Sequence, residues 1–227
     1  MNFILSSIDA IEFCKSLSDQ SVDLIITDPP YESLEKHRRD GTTTRLKNSK
    51  SSSNEWFDIF PNSRFNELFT ELYRVLKNNS HFYLFCDQET AFIAKPEAEK
   101  VGFKFWKPLI WDKKKIGMGY HYRSRYEFIL FFEKGKRKIN NLSVSDVIEC
   151  PRIFRKYPTE KPVEVSEVLI KQSSQEDQII FDPFMGSGSV GEAAVKLKRQ
   201  FIGNDIKQSA VDIAQERIIS VGGIQLH

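Results

Sequence analysis

The alternation of strand-like and helix-like patterns limits the fold of this 227-residue chain more than any other feature of its sequence. Apolar strand-like runs occupy residues 3–8, 22–28, 80–87, 178–188 and 200–206, and helical spacing of apolar residues covers residues 9–19, 63–79, 89–102, 160–174, 189–199 and 207–220. This alternation predicts an α/β fold whose mostly parallel sheet is covered by helices on both faces. Pro96 predicts that the helix over residues 89–102 is interrupted or begins at that position.

One segment departs from the alternation. Residues 103–136 contain two aromatic-rich apolar runs on either side of a glycine-bearing turn, with no helical pattern between them. This arrangement predicts an antiparallel hairpin at the edge of the sheet. No internal repeat or linker divides the chain, so we expect a single domain over residues 1–227, a size that α/β folds commonly reach.

Composition narrows the class of protein further. Hydrophobic residues make up 40% of the chain, and no apolar run approaches the ~20 residues that span a bilayer. The amino terminus lacks the features of a signal peptide, so we expect a cytoplasmic protein with no membrane partner. Cys14, Cys86 and Cys150 are odd in number and widely separated, which favours reduced structural cysteines and no metal site.

The run LIITDPPY, residues 24–31, ends an apolar strand in an unusual way. Its two prolines cannot donate hydrogen bonds to a sheet, so the strand has to stop there. An acid and an aromatic residue flank these prolines. We therefore predict a functional site at the carboxyl edge of this strand, whereas a plain β-turn is the alternative.

A second candidate site lies in IIFDPFMGSGSVG, residues 179–191. Gly186 and Gly188 occupy a strand-to-helix turn, where the backbone can approach a ligand and the helix offers unpaired N–H groups. Asp205 ends the next strand about twenty residues downstream, the spacing at which an acid accepts hydrogen bonds from ribose hydroxyls. A helix-capping acid is the alternative for Asp205. Gly191 completes a GxGxxG pattern, so spacing alone leaves both a dinucleotide and S-adenosylmethionine open.

Four motifs together resemble those of the amino-group DNA methyltransferases that use S-adenosylmethionine, specifically the circularly permuted β group. They are TDPPY at residues 27–31, YPTEKP at 157–162, FDPFMGSGS at 181–189 and FIGNDI at 201–206, and they follow the order of that family. The resemblance implies a Rossmann-like class I methyltransferase domain, circularly permuted, with a mostly parallel seven-stranded sheet and an antiparallel edge hairpin. Tyr157 and Tyr126 depart from the family pattern, which often has histidine at both places.

The resemblance also implies which residues bind the cofactor, S-adenosylmethionine: Asp9, Lys161, Pro162, Asp182, Phe184, Gly186, Gly188 and Asp205. Within this set, Asp205 is expected at the ribose hydroxyls. Asp9 is expected at the adenine, although Ile8 replaces the glycine that usually precedes this acid in the family.

The catalytic residues implied by the resemblance are Asp28, Pro29, Pro30 and Tyr31. An exocyclic amine is a poor nucleophile because its lone pair is delocalised into the ring, so two acceptors at its hydrogens favour a pyramidal, reactive nitrogen. Asp28 and the carbonyl of Pro29 are suited to this role. Tyr31 is expected to stack on a base rotated out of the duplex. Asp rather than Ser at position 28 favours adenine N6 over cytosine N4, by resemblance.

Basic clusters indicate where DNA is held, although the net charge is only +2. We predict a mobile DNA-contacting loop over residues 33–56, with phosphate contacts from Lys36, Arg38, Arg39, Arg45, Lys47 and Lys50. Tyr122, Arg123 and Arg125 at the hairpin tip form a second predicted surface. A short recognition loop region is expected over residues 134–156. A tolerated insertion is the alternative for the first loop.

The predicted function is site-specific methylation of DNA, most consistent with adenine N6, in a restriction-modification setting. The predicted partners are DNA, a second copy of the chain and a cognate restriction endonuclease. Four rival functions remain open at this point: a cytosine-N4 DNA methyltransferase, an RNA or protein N-methyltransferase, a nucleic-acid-binding protein without activity, and a nicotinamide oxidoreductase.

Overall fold

The computed structural model describes residues 1–33, 58–117, 121–153 and 160–226 of the chain. Nine strands in these ranges form one sheet: β1 Asn2–Ser6, β2 Val22–Thr27, β3 Leu76–Cys86, β4 Lys104–Asp112, β5 Tyr126–Lys134, β6 Val147–Glu149, β7 Ile179–Asp182, β8 Gln200–Asn204 and β9 Ile224–Gln225. The longer strands are rich in β-branched and aromatic residues, which pack well on a pleated surface.

The strands lie in the order β6-β4-β5-β3-β2-β7-β8-β1-β9. β5 pairs antiparallel with both β3 and β4, whereas all other pairings among the described strands are parallel. The predicted α/β fold, with a mostly parallel sheet and an antiparallel hairpin, is confirmed. The prediction of seven strands is two short, because β6 and β9, with 3 and 2 residues, are too brief to leave a pattern in the sequence.

Helices cover both faces of the sheet in the described ranges: α1 Ala10–Ser16, α2 Phe65–Val75, α3 Gln88–Lys100, α4 Val163–Ser173, α5 Ser189–Lys196 and α6 Gln208–Ser220. The alternation of β2 shows how the core divides. Leu24 and Ile26 pack on one face with Leu169 of α4, and Ile25 packs on the other face with Phe69 of α2. β2 is therefore buried on both faces. None of the helices described is long and apolar enough to cross a membrane.

Two predicted boundaries in the first half of the chain are wrong. The helix predicted over residues 63–79 ends at Val75, since Leu76 adopts an extended backbone and pairs with Val22 of β2. Strand pairing thus overrides the helical pattern that the sequence continues. α3 runs through Pro96 without interruption. The carbonyl that loses its hydrogen bond belongs to Phe92, which is exposed, so water can satisfy it.

The predicted recognition loop over residues 134–156 also differs from the structure in one respect. It contains β6, which pairs in parallel with the end of β4 and so covers the edge of the hairpin. Residues 154–156 lie outside the described residues. The predicted loop over residues 33–56 lies outside them as well, apart from Ser33.

Candidate active site

The carboxyl ends of β2, β7 and β8 meet at one edge of the sheet, because these strands are parallel neighbours. Thr27 ends β2 and donates a hydrogen bond from Oγ1 to Oδ1 of Asp182, the last residue of β7, at 2.8 Å. Asp28 follows Thr27 directly, and the glycine turn follows Asp182. The two sites predicted from the sequence therefore share one edge, the place where ligands of open α/β sheets bind.

The diproline segment is fixed by its backbone and by aromatic contacts. The N–H of Phe60 donates to the carbonyl of Pro30 at 2.7 Å, and Tyr31 forms a parallel bridge with Phe60. The ring of Phe60 meets the ring of Phe184, in the glycine turn, edge-on at a centroid distance of 5.1 Å. Among the described residues, no donor is bonded to the carbonyl of Pro29. The carbonyl of Pro29 is therefore available to accept a hydrogen bond beside Asp28.

Asp28 belongs to a cluster of four charged side chains. The Lys161 ammonium contacts Oδ2 of Asp28 and lies 2.9 Å from Oε1 of Glu127. Oε2 of Glu127 lies 2.7 Å from the ammonium of Lys113. The side chains of Glu127 and Lys161 are only 10% and 11% exposed, whereas that of Asp28 is 28% exposed. The cluster is neutral in sum, and Asp28 is its member nearest to solvent.

The pKa values of the cluster follow from burial opposed by opposite charge. Burial raises the pKa of Asp28 to about 6, against the opposing effect of the Lys161 ammonium. Burial alone would raise the pKa of Glu127, but Lys161 and Lys113 hold it below its usual value. Burial alone would lower the pKa of Lys161, but Asp28 and Glu127 raise it. At neutral pH, Asp28 is therefore a carboxylate beside an ammonium.

The glycine turn is held by Asp205. Oδ2 of Asp205 accepts a hydrogen bond from the N–H of Gly186 at 3.1 Å, and Oδ1 accepts one from the N–H of Lys207 at 2.9 Å. Gly188, with φ of 77°, lies where α5 begins. A Cβ at Gly188 would come within 2.7 Å of Cβ of Ala214, so a larger residue there would push α6 away. Burial raises the pKa of Asp205 against these two hydrogen bonds.

Asp182 lies below this edge rather than on it. Its side chain is buried, and Oδ1 accepts hydrogen bonds from Oγ1 of Thr27 at 2.8 Å and from the N–H of Phe184 at 3.0 Å. Burial raises the pKa of Asp182 to about 7. Asp182 thus joins the end of β2 to the glycine turn.

The comparisons with known proteins agree with this geometry. The family model of N6/N4 methyltransferases, described as "DNA methylase", matches residues 22–216 of the chain. The chain belongs to this DNA methylase family. The matched range begins at β2 and includes both the diproline segment and the glycine turn. The predicted membership of the amino-group DNA methyltransferases, whose methyl donor is S-adenosylmethionine, is confirmed.

Individual methylases show the same relationship. The chain is 29% identical over 240 residues to the type II methyltransferase M.HpaI of Haemophilus parainfluenzae, covering 93% of this chain and 73% of that protein. It is similar in fold to the M1.HpyAVI–SAM complex, with a TM-score of 0.70, 24% identity and coverage of 95% and 99% of the two chains. The cytosine-N4-specific PvuII DNA methyltransferase has a TM-score of 0.72 at 14% identity, with coverage of 99% and 95%. These two structures show that the chain has the fold of known methyltransferases.

Asp9, predicted at the adenine, already has partners within the chain. It caps α1 by accepting from the N–H of Ile11 at 3.0 Å, and the Arg64 guanidinium donates to both of its oxygens. The hydrogen bond from Arg64 lowers the pKa of Asp9. Pro162, also predicted to bind the cofactor, is buried at the start of α4.

The predicted DNA contacts fall into three groups in the structure. Tyr122 and Arg123 are exposed in the segment between β4 and β5. Arg125 instead donates two hydrogen bonds to Asp112, at 2.7 and 2.6 Å, which join the two sides of the hairpin at the base of its loop. The basic residues predicted to contact DNA from the first loop lie outside the described residues: Lys36, Arg38, Arg39, Arg45, Lys47 and Lys50.

Sequence reasoning missed Glu127 and Lys113 as members of the site. Lys113 lies in the run DKKK, which by itself indicates only a basic surface, but its ammonium faces Glu127. The signal for Glu127 was a lone acid near the start of the apolar run YEFILFF, which forms most of β5. Because β5 is antiparallel, its first residues lie at the edge where the parallel strands end, so Glu127 reaches Asp28 through Lys161.

Proposed function

We propose that this methylase transfers the methyl group of S-adenosylmethionine to the exocyclic amine of a base in DNA, with adenine N6 as the preferred acceptor. The observation that carries this proposal is the pair of acceptors at the edge of the sheet. Oδ1 of Asp28 and the carbonyl of Pro29 have no donor among the described residues, and both follow Thr27, which is bonded to Asp182 just before the glycine turn.

The two acceptors suit the chemistry of an amine. Each takes one N–H of the exocyclic amine, which favours a pyramidal nitrogen and frees its lone pair for attack. S-adenosylmethionine, when bound, supplies a methyl group on a positively charged sulfur, which becomes a neutral thioether when the S–C bond breaks. The nitrogen gains a positive charge as the N–C bond forms, and the Asp28 carboxylate stabilises that charge. The methylated amine then releases one proton, and Asp28 is the nearest base.

The glycine turn fits an adenosine-type cofactor. The positive φ angles of 51° at Gly186 and 77° at Gly188 bring the backbone close to the edge without side chains in the way. Asp205 directly follows β8 at the same edge, in the position expected for an acceptor of ribose hydroxyls. Phe184 adds an aromatic surface that is joined to the diproline segment through Phe60. Lys161, Pro162, Asp182 and Asp9 complete the proposed set of cofactor-binding residues.

The base would stack on Tyr31, a contact worth roughly 1–3 kcal/mol for a base on an aromatic ring. This gain would offset the few kcal/mol needed to rotate a nucleotide out of the duplex. The preference for adenine rests on the aspartate at position 28. Cytosine N4 is the alternative acceptor, because the same two oxygens can hold either amine. Tyr122 and Arg123 are exposed and would contact the duplex beside the flipped base.

Methyl transfer with labelled S-adenosylmethionine tests the proposal directly. Duplex DNA, a structured RNA and a mixed protein substrate are offered in parallel, and the modified nucleosides are identified by mass spectrometry after digestion. We expect label in DNA as N6-methyladenine. N4-methylcytosine would establish the alternative acceptor, whereas label only in RNA or protein would contradict a DNA substrate. Calorimetric binding of NAD without binding of S-adenosylmethionine would contradict the cofactor.

We further propose a cytoplasmic setting, a cognate restriction endonuclease and a homodimer. The support for the endonuclease is that the relative from Haemophilus parainfluenzae is a type II methyltransferase. Expression of the chain is expected to protect cellular DNA from an endonuclease of the same target. Light scattering on the purified protein measures the oligomeric state.

A further inference from the structure

Each carboxylate oxygen of Glu127 forms an ion pair with a different lysine. Oε1 lies 2.9 Å from Lys161 and Oε2 lies 2.7 Å from Lys113. The side chain is only 10% exposed, so Glu127 has little contact with water and its two lysine partners replace hydration. This carboxylate therefore belongs to the charge balance of the site.

Lys161 lies between two acids of unequal exposure. Its ammonium touches Oδ2 of Asp28 on one side and Oε1 of Glu127 on the other, and it lies 5.4 Å from the ring centroid of Phe85. Only Oδ2 of Asp28 is engaged, whereas Oδ1 has no partner in the described part of the chain. The lysine thus fixes the rotation of the Asp28 carboxylate and leaves one oxygen for a ligand.

We propose that Glu127 is a positioning residue for methyl transfer: it holds Lys161 from the side opposite Asp28, so that Oδ1 of Asp28 faces the amine and the ammonium does not close over the whole carboxylate. This inference rests on the proposed function, because it assigns a role within that reaction. Glu127 acts through Lys161 and does not touch the base.

The role of Glu127 follows from the positive charge that develops on the amine during methyl transfer. An ammonium on Asp28 opposes the positive charge that develops on the attacked amine, since both charges draw on one carboxylate. Glu127 offers Lys161 a second carboxylate and so keeps part of the negative charge of Asp28 available. Without Glu127, Lys161 pairs with Asp28 alone, and the buried pair becomes tighter.

The pH dependence of methyl transfer distinguishes this role from a purely structural one. Charged or titratable groups near Asp28 and Glu127 are Lys161, Lys113, Tyr31, Cys86, Asp87 and Asp182. The negative charge of Glu127 raises the pKa of Asp28 and the positive charge of Lys161 lowers it. Removal of either charge therefore moves the acidic limb of the rate profile, but in opposite directions.

The experiment compares three variants by single-turnover methyl transfer between pH 5 and pH 9 on a DNA substrate that the parent methylates. E127Q is expected to lower the rate at pH 8 by about tenfold and to move the acidic limb to lower pH. K161M is expected to move the acidic limb to higher pH. S-adenosylmethionine affinity, measured by calorimetry, is expected to change less than about threefold in E127Q.

Glu133→Gln is the matched control, because Glu133 is a buried glutamate on the same strand whose partners are Trp106 and the N–H of Arg137. It is expected to leave the acidic limb in place. An unmoved limb in E127Q, or shifts of the same sign in E127Q and K161M, would overturn the positioning role. If E127Q does not fold, the direction of the K161M shift decides. A parent protein that methylates no DNA would instead contradict the proposed function.

Discussion

Asp28 and Asp182 follow or end neighbouring strands of the same sheet, yet they are held in opposite ways. Burial raises the pKa of both, to about 6 and about 7. Asp28 is held by the Lys161 ammonium, whereas Asp182 is held by neutral donors, the Thr27 hydroxyl and the N–H of Phe184. The comparison teaches that two raised pKa values can come from different surroundings: Asp28 faces an ammonium and is partly exposed, whereas Asp182 is buried and joins two parts of the backbone.

The strongest test of this division is D28N. The amide keeps the size of the side chain but loses the charge that stabilises the amine, so we expect methyl transfer to fall by about a thousandfold, or about 4 kcal/mol. Cofactor affinity is expected to change little. Radiolabel transfer and calorimetry measure these two quantities. Activity within about tenfold of the parent would show that Asp28 is not the catalytic acceptor.

D182N is expected to change stability instead of chemistry. Because the folded-state pKa of Asp182 lies at about 7, above its usual 3.8, the native state binds more protons than the unfolded state between about pH 4 and pH 7. The stabilisation of the native state by protonated Asp182 is therefore fully present below about pH 4 and is lost as the pH rises through 7. An asparagine does not titrate and retains an acceptor for both donors.

We expect the free energy of unfolding of D182N to rise relative to that of the parent as the pH increases across that window. The difference at pH 8 is expected to be on the order of 3 kcal/mol. Urea unfolding at several pH values measures the difference in the free energy of unfolding. A difference that does not depend on pH would mean that Asp182 is ionised in the native state throughout.

The glycine turn gives a smaller effect with a matched control in the same chain. G188A and G222A both place a side chain at positive φ, 77° and 91°, and so share a backbone strain of about 1 kcal/mol. Only at Gly188 would the new Cβ meet Ala214, at 2.7 Å; at Gly222 nothing lies within 4 Å. G188A is expected to lose about 2 kcal/mol more than G222A in the free energy of unfolding. Equal losses in the two variants would mean that α6 moves away from the new side chain with no loss of stability.

The smallest expected effect is that of D205N. Asp205 accepts one N–H at each oxygen, and an asparagine can accept only one, so the N–H of Gly186 or of Lys207 loses its partner. A loss of about 1 kcal/mol in stability is expected. We also expect S-adenosylmethionine to bind about tenfold more weakly, measured by calorimetry. Unchanged affinity would remove Asp205 from the predicted cofactor contacts.

Much of the fold could be predicted because its signals are local. The central strands are buried on both faces and appear as continuous apolar runs, as in VDLIIT of β2. The end of α2 at Val75 could not be predicted, since the helical pattern continues and only pairing with Val22 decides the boundary. β6 was equally out of reach, because three residues gain their extended conformation from β4 rather than from their own sequence.

Some residues of the candidate site could likewise be predicted from the sequence, whereas others could not. Asp28, the glycine turn and Asp205 follow strands directly, so strand order alone brings them together. Glu127 and Lys161 are separated by 34 positions in the chain and meet only because β5 reverses direction. Asp9 shows the converse limit, because the sequence indicates an acid near the edge but does not reveal that Arg64 binds it.

The reversed direction of β5 has a consequence for how such a methylase could change its target. Two contacts fasten the hairpin where its loop begins and ends: Arg125 is bonded to Asp112, and the N–H of Lys113 donates to the carbonyl of Arg125 at 2.9 Å. The loop beyond these fastenings can therefore be lengthened, shortened or exchanged while the acid one step inside keeps its place. An exchange of the proposed DNA contacts Tyr122 and Arg123 would therefore leave Glu127 and the charged cluster around Asp28 in place.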